Sequence, residues 1–497
     1  MREGKLRDEQ GVSEERNRLN IVVEPAGIRW RGLVDQFDAG KQALGKSVRE
    51  WRTLTRAELN LNDGGMLVMT GHQPVLWHPG VLAKYFAVEA FAKAAGGSCA
   101  NLVIDTHEGD FGELAIPVRA ANGRISARTE RMIDGEGENA MCFQKAHHPM
   151  RVEVNRGDTW GFVIDGLETM RKVIERRAHE QNAAMQMARA MDDLRIEVAG
   201  SGEEMKAVGA SDLMKTSLWR VMAGAMAKDA GACARAYNAA AQRHSEARVE
   251  FLSVNETAGS GGAELPVWVV GKSGAKRRGF AADVEAWLQN PAMVNLQPRA
   301  LLTTAIVRIG LADLFVHGRG GGVYDRIMEE WMKEWLGVTP APMTVVSADV
   351  LLPLGVEQPS AGGVRGAIAQ ARRMEHDPPL NIPVPVEVGD MMGTVEFVPS
   401  IPETRRPTEW KQTWVRRIAG MERGSAERRA AYRKMHAELA KRREAAREMI
   451  SQAREDVEEE RRRSADWKIA AKRDWAFPLY PQAQMKALKQ KIEKEFR

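Results

Sequence analysis

Thr70-Gly71-His72-Gln73-Pro74, followed closely by His78-Pro79-Gly80, lies between two stretches of different period. Met66–Met69 before it is a short apolar run of the kind that forms a buried parallel strand. Val81–Ala95 after it repeats apolar residues at helical spacing until Gly96-Gly97 stops it. A strand, a tight turn and a helix in this order make the building unit of an α/β fold. In open α/β sheets, ligands settle beyond the carboxyl ends of the strands, where such turns present backbone N–H groups and side chains. Thr70, Gly71, His72, Gln73 and His78 are therefore candidate site residues.

Two further strand ends carry unusual concentrations of polar groups. Asn101–Ile104 reads as a strand that runs into Asp105-Thr106-His107-Glu108-Gly109-Asp110-Phe111. Leu314-Phe315-Val316 runs into His317-Gly318-Arg319-Gly320-Gly321-Gly322-Val323-Tyr324-Asp325, and Arg326–Leu336 then looks helical. A last apolar stretch, Met343–Leu354, holds Ser347 and Asp349 within strand-like sequence. Three polar turns on three strand ends form a constellation.

The 497 residues suffice for two or three structural units. With 44% hydrophobic and 28% charged residues the composition is that of an ordinary folded chain, which excludes disordered and fibrous classes. The formal charge of +5 comes from 72 Lys plus Arg interleaved with 67 Asp plus Glu, so composition gives no support to nucleic-acid binding. Cys99, Cys142 and Cys233 have no metal-like spacing, which argues against a disulfide framework and suits a reducing cytoplasm. No signal peptide or uncharged apolar run of membrane-spanning length is visible, so a cytoplasmic protein without membrane contact is expected.

The sequence reads as an α/β core with a parallel sheet, an inserted helical layer and a long C-terminal helical arm. Residues 1–60 form a lead-in with a strand at Ile21-Val22-Val23, and 61–155 the first part of the core, including a hairpin turning at Asn122-Gly123. Residues 156–250 are a helical insertion, 251–410 the second part of the core, and 411–497 a C-terminal helical region. Ser425–Phe477 contain neither glycine nor proline and are dominated by strong helix formers, which predicts one helix of up to roughly 80 Å. Tyr432, Leu439, Ala446 and Ala453 recur at seven-residue spacing, with Met435 and Met449 at the companion position, and Glu438/Arg442, Glu458/Arg462 and Glu459/Arg463 are spaced for i,i+4 ion pairs. Arg442 and Asp456 interrupt the seam, so an arm or antiparallel hairpin that could pair into a homodimer is expected.

His107, Glu108 and Asp110 suit general acid/base work, because carboxylates clustered beside an imidazole push one another's pKa values apart; the alternative is a solvated strand end. His72 and His78 could join them around a divalent metal, although no paired-histidine or paired-cysteine motif demands one, and substrate-orienting hydrogen bonds are the competing reading. Consecutive glycines at Gly318–Gly322 let N–H groups approach an anion at a helix start, and Arg319 adds charge. Gly271-Lys272-Ser273 ends like a P-loop, but Pro266 stands where its first glycine is required. Lys276, Arg277 and Arg278 read instead as a hairpin tip within reach of an anionic ligand.

Taken in order, these turns resemble the bacillithiol biosynthesis cysteine-adding enzyme family over most of residues 65–490. That family's T-G-Q-Q run matches Thr70, Gly71 and Gln73, with His72 in place of a glutamine. Its E-D-H-D-F run matches Asp110 and Phe111, with Glu108 at an aspartate position and Gly109 where the family has histidine. Its G-P-G-E-x-x-Y run matches Gly318, Gly320 and Tyr324, with Arg319 and Gly321 departing. The resemblance implies a Rossmann-like core, a coiled-coil region that dimerises, and addition of cysteine or a similar amine to a carboxylate-bearing small molecule, with ATP or ADP as an expected ligand. On this reading His72, His107, Glu108 and Asp110 carry catalysis, with Glu108 or Asp110 as the base and His107 and His72 orienting the substrate. Substrate or nucleotide binding falls to Thr70, Gly71, Gln73, His78, His317, Gly318, Arg319, Gly320, Tyr324 and Ser347. A metal-assisted hydrolase or nucleotidyltransferase on the same turns, and a non-catalytic scaffold with a partner-binding arm, are the alternatives.

Overall fold

The computed structural model describes residues 19–61, 65–134, 139–200, 202–254, 261–378 and 408–497, so residues 1–18 of the expected lead-in and 379–407 of the expected core lie outside the described residues. The chain forms two compact units, residues 1–354 with 471–497, and residues 355–470.

The first unit is a mixed α/β body around a mostly parallel sheet of six strands. In chain order these are β1 (Leu19–Glu24), β2 (Leu67–His72), β3 (Ser98–Val103), β4 (Lys206–Gly209), β5 (Leu314–His317) and β6 (Met343–Val350). Their spatial order is β1-β6-β5-β2-β3-β4. β1 alone runs antiparallel, Leu19 facing Val350 and Glu24 facing Val345. The chain builds outward from β2 through β3 to β4, then returns to the other side of β2 to lay down β5 and β6. The reversal of strand order falls between β2 and β5, the switch point at which α/β sheets open a crevice.

Local chemistry explains the elements around that point. Leu67, Val68 and Met69 are buried, as expected for a strand covered on both faces. The helix α1 (Pro79–Ala95) starts where Nδ1 of His78 accepts a hydrogen bond from the Gly80 N–H at 3.1 Å, with Pro79 in its first turn, and ends at Gly96 with φ 66°. It is apolar nearly all round, because the sheet and the C-terminal helix Gln482–Glu493 pack on it, while helix α2 (Ala183–Ala199) reaches it through the Arg195–Glu89 ion pair. The main core extends from the sheet through Trp51, Trp219, Trp287 and Trp331. No described helix is long and apolar enough to cross a membrane.

Several segments differ from the sequence reading. β4 lies inside the expected helical insertion: it has four residues, and Lys206 is exposed at the sheet edge, so no apolar run announces it. Glu264–Val270 is a strand as expected, but it pairs with Lys276–Phe280 and Leu296–Pro298 in a separate three-stranded sheet. The hairpin at Asn122-Gly123 forms between Glu113–Arg119 and Ile125–Arg131. Residues 471–497, expected in the helical arm, belong to the first unit, because Trp475, Phe477, Leu479, Met485, Leu488 and Ile492 are buried there. Residues 355–378, expected in the core, belong to the second unit.

Within the second unit, helix Ala426–Ala445 continues into Arg447–Ala470 with little interruption, since the Ala446 N–H still reaches Arg442 O at 2.9 Å and the Ile450 N–H reaches Ala446 O at 2.9 Å. Helix Gly363–His376 packs on it through Ala371 against Ala453 and Val457. Leu439, Ala446 and Ala453 of the expected seam are thus buried by the chain itself, whereas Tyr432 and Met449 are exposed. Arg442, which seemed to break the seam, lies 4.2 Å from the Trp410 ring centroid. Arg442 pairs with Glu438 at 3.5 Å and Arg463 with Glu459 at 3.8 Å, as spaced. Arg462 also pairs with Glu459, at 3.1 Å, and Glu458 takes Arg461 at 2.6 Å.

Candidate functional site

A cavity of about 760 Å³ opens at the switch point, lined by the ends of β2, β3, β5 and β6. Gly71, His72, Gln73 and His78 reach it from the first turn, His107 and Glu108 from the second, and His317, Gly318, Arg319, Gly320 and Tyr324 from the third. Ser347 enters from β6. Twelve of the fourteen candidates thus meet around one space, although the chain separates the first turn from the third by more than two hundred residues.

Thr70 and Asp110 stay outside. Thr70 is fully buried between β2 and β5, and its Oγ1 donates to Val316 O at 2.7 Å, tying the two strands together. Asp110 faces the neighbouring hairpin, accepting from the Gly112 and Glu113 N–H groups at 2.9 and 3.1 Å and from the Arg131 guanidinium. Despite the opposing cost of burial, these donors hold its carboxyl below the ordinary carboxylate range, fixing it as an ionised turn cap. Gly109 between Glu108 and Asp110 has φ 123°, and this turn of the backbone separates the two carboxylates.

The glycine run is the first turn of α3 (Arg319–Leu336), which starts well before the expected Arg326. Its glycines are set by close packing. A Cβ at Gly321 would lie 2.5 Å from His317 Nδ1, and one at Gly322 would lie 2.6 Å from a Val345 methyl group. The Gly322 N–H donates to Gly318 O at 3.1 Å, so the N–H groups of Arg319, Gly320 and Gly321 precede the helix's own acceptors. At Gly320 a Cβ would meet no atom within 4 Å. Arg319 is held by Asp349 at 3.2 Å, which in turn binds Arg473 at 2.6 Å.

Behind this turn, His317 Nε2 donates to Asp325 Oδ2 at 2.7 Å, and Arg308 Nη1 donates to the same oxygen at 2.6 Å. Burial opposes the charge on Asp325, but the His317 imidazole and the Arg308 guanidinium outweigh it and keep the carboxyl well below its ordinary range. The carboxylate fixes the imidazole orientation and leaves Nδ1 as the nitrogen without the Asp325 bond.

Lys84 on α1 was not a sequence candidate. It is 4% exposed, its Nζ donates to Gly71 O at 2.7 Å, and it forms no ion pair among the described residues. Burial lowers it to about 7, so a large share of its amine is neutral near neutral pH. The same burial, followed by the Lys84 charge, lowers both His72 and His78. His107 is lowered by burial and by Lys276, against the opposing pull of Glu108. Lys276, at the base of the basic hairpin, reaches inward to Thr106 O and lies 3.6 Å from Glu108, while burial lowers its own pKa. The cavity therefore combines the lowered imidazoles of His72, His78 and His107, a buried amine, the carboxylates of Glu108 and Asp325 and two further cations, against an apolar wall that includes Trp268, Leu301 and Phe315.

No protein-family model matches the chain, and comparison with curated proteins found no match. Among the described residues, no three His, Cys, Asp or Glu side chains come together as metal ligands.

Proposed function

We propose that the switch-point cavity is the active site of an enzyme that joins an amine, cysteine or one like it, to a carboxylate-bearing small molecule, similar to the bacillithiol cysteine-adding enzymes. The reading includes a Rossmann-like core and homodimers formed through the helical unit, with Tyr432 and Met449 as exposed apolar contacts. One observation carries it: three turns distant in sequence meet at the strand-order reversal with a glycine-led helix start, three cations and an oriented imidazole.

Amide formation needs a carboxylate activated by phosphoryl or nucleotidyl transfer and an amine that has lost its proton. The free N–H groups of Arg319–Gly321, together with Arg319 and Lys276, suit the phosphates of ATP or ADP, and the Trp268–Phe315 wall suits an apolar base. Asp110 is withdrawn as a base because the hairpin holds it. Lys84, partly neutral near pH 7, takes its place beside Glu108 as proton acceptor. His317, oriented by Asp325, stabilises charge that develops on the transferred group.

Two departures from the resembled motifs have a physical account. Gly321 replaces a glutamate where the His317 ring leaves no room for a side chain. Gly109 replaces a histidine, yet the His107 ring lies 3.6 Å from where a side chain at 109 would begin, so an imidazole occupies the same space. The metal-assisted alternative lacks a ligand set among the described residues.

Calorimetric titration with ATP and ADP, with and without magnesium, tests this reading. Saturable binding that weakens at least about tenfold in Arg319→Ala and Lys276→Ala is expected. No binding up to millimolar nucleotide would remove the phosphate role of the glycine turn.

A further inference from the structure

A second cavity, of about 630 Å³, lies beyond the ends of β3 and β4. It is separate from the first: Asp105 and Gln297 face it, while their chain neighbours Thr106 and Pro298 face the other space. Its inner wall has polar groups whose needs the protein itself does not meet. Asp105 is 2% exposed and accepts from the Ser211 N–H at 3.0 Å and from the Ser211 hydroxyl. It forms no ion pair among the described residues. Burial raises it to about 6 in spite of the Ser211 bonds, and the neighbouring Asp212 charge adds to the rise. Its two oxygens retain lone pairs beyond those Ser211 uses. Gln297 is 5% exposed, and its Nε2 donates to Asn295 Oδ1 at 3.0 Å, but its Oε1 has no partner. An orphaned acceptor at this depth costs stability unless a donor arrives.

A buried carboxylate with lone pairs to spare and an amide oxygen without a partner, both lining this space, call for a ligand with N–H groups and positive charge. Nearer solvent the lining holds Lys215 paired with Asp212 at 2.7 Å, and Arg220. Arg220 is exposed, rests 5.4 Å from the Trp287 ring centroid and makes no ion pair among the described residues. Met185, Met214, Trp287 and Val294 give the space apolar flanks. An ammonium group at depth, a carboxylate toward the mouth and a side chain between them describe one small class of molecule.

We propose that this second cavity binds a free α-amino acid, its ammonium group at Asp105 and Gln297 Oε1 and its carboxylate toward Arg220. The inference concerns binding alone and does not rest on the amide chemistry proposed for the first cavity.

The test is calorimetric titration of the full chain with the protein amino acids, using propionate and propylamine as probes that lack the ammonium or the carboxylate. At least one amino acid binds saturably below roughly 10 mM, and neither single-charge probe matches it. Asp105→Asn weakens that binding about tenfold or more, while Arg319→Ala in the other cavity leaves it unchanged. Gln297→Met provides the same reading if Asp105→Asn loses its folded circular-dichroism spectrum. No amino acid binding to roughly 10 mM, or binding that survives Asp105→Asn and Gln297→Met, overturns the proposal.

Discussion

The two units treat charge in opposite ways. In the first, Lys84, Arg308 and Asp325 are almost fully removed from water, and each has only the partners that the fold places beside it. In the second, charges such as Arg454 and Glu375 pair across the surface with much of each side chain in solvent. A buried charge depends on its geometry, because a missing partner leaves a desolvation cost that water cannot relieve, whereas an exposed pair is replaced by water at little cost. The first unit therefore stores its polar chemistry in coupled groups, and the second, apart from the buried Asp377 and Glu460, spreads its charge over the surface.

Breaking that coupling has the largest effect at Asp325. Asp325→Asn removes the anion that His317 and Arg308 share, leaving Arg308 only the half-exposed Glu329, and costs on the order of 3–5 kcal/mol in chemical denaturation. A loss no greater than that of a surface pair would erase the contrast between the units.

Lys84→Met sharpens it in the other direction. With its folded value near 7 against about 10.4 unfolded, Lys84 destabilises the fold fully below about pH 7, and the penalty fades as pH rises toward the unfolded value. The substitution is expected to stabilise by roughly 2–4 kcal/mol below about pH 7, with the gain shrinking toward pH 10, as read by Tm across pH. If Lys84 is the proton acceptor, the same variant loses activity, and wild-type activity rises with pH through about 7. The smallest effect is Arg454→Ala, which removes the 2.7 Å pair with Glu375. It shifts stability by no more than about 0.5 kcal/mol and by less at high salt.

What the sequence disclosed follows from the range over which each signal acts. Short apolar runs ending in polar turns located β2, β3 and β5, because a strand stretch buried on both faces must be apolar, and the apolar residues of β6 located it although its burial alternates. β4 escaped because four residues with one exposed lysine carry no period. In the site, the histidines and the glycine turn were legible as local clusters. Asp110 and Glu108 were not separable, since the φ of Gly109 and the position of Arg131, twenty-one residues on, decide which carboxylate turns inward. Lys84 left a trace that went unused: it is a lone charge among Val81, Leu82, Ala83, Tyr85, Phe86, Ala87 and Val88, on a helix apolar all round. A cation in that setting has no solvent face to reach.

The last segment of the first unit is also the last described stretch to be synthesised. Trp475, Phe477, Met485 and Ile492 fill the unit's apolar interior, yet the ribosome makes all of residues 355–470 before it reaches them. At ordinary elongation speed that delay lasts roughly ten seconds. For that interval the nascent first unit keeps the side of α1 that helix Gln482–Glu493 covers open to solvent and chaperones. Its folding finishes only once residues 471–497 have emerged, whereas the second unit is free to complete its helices earlier.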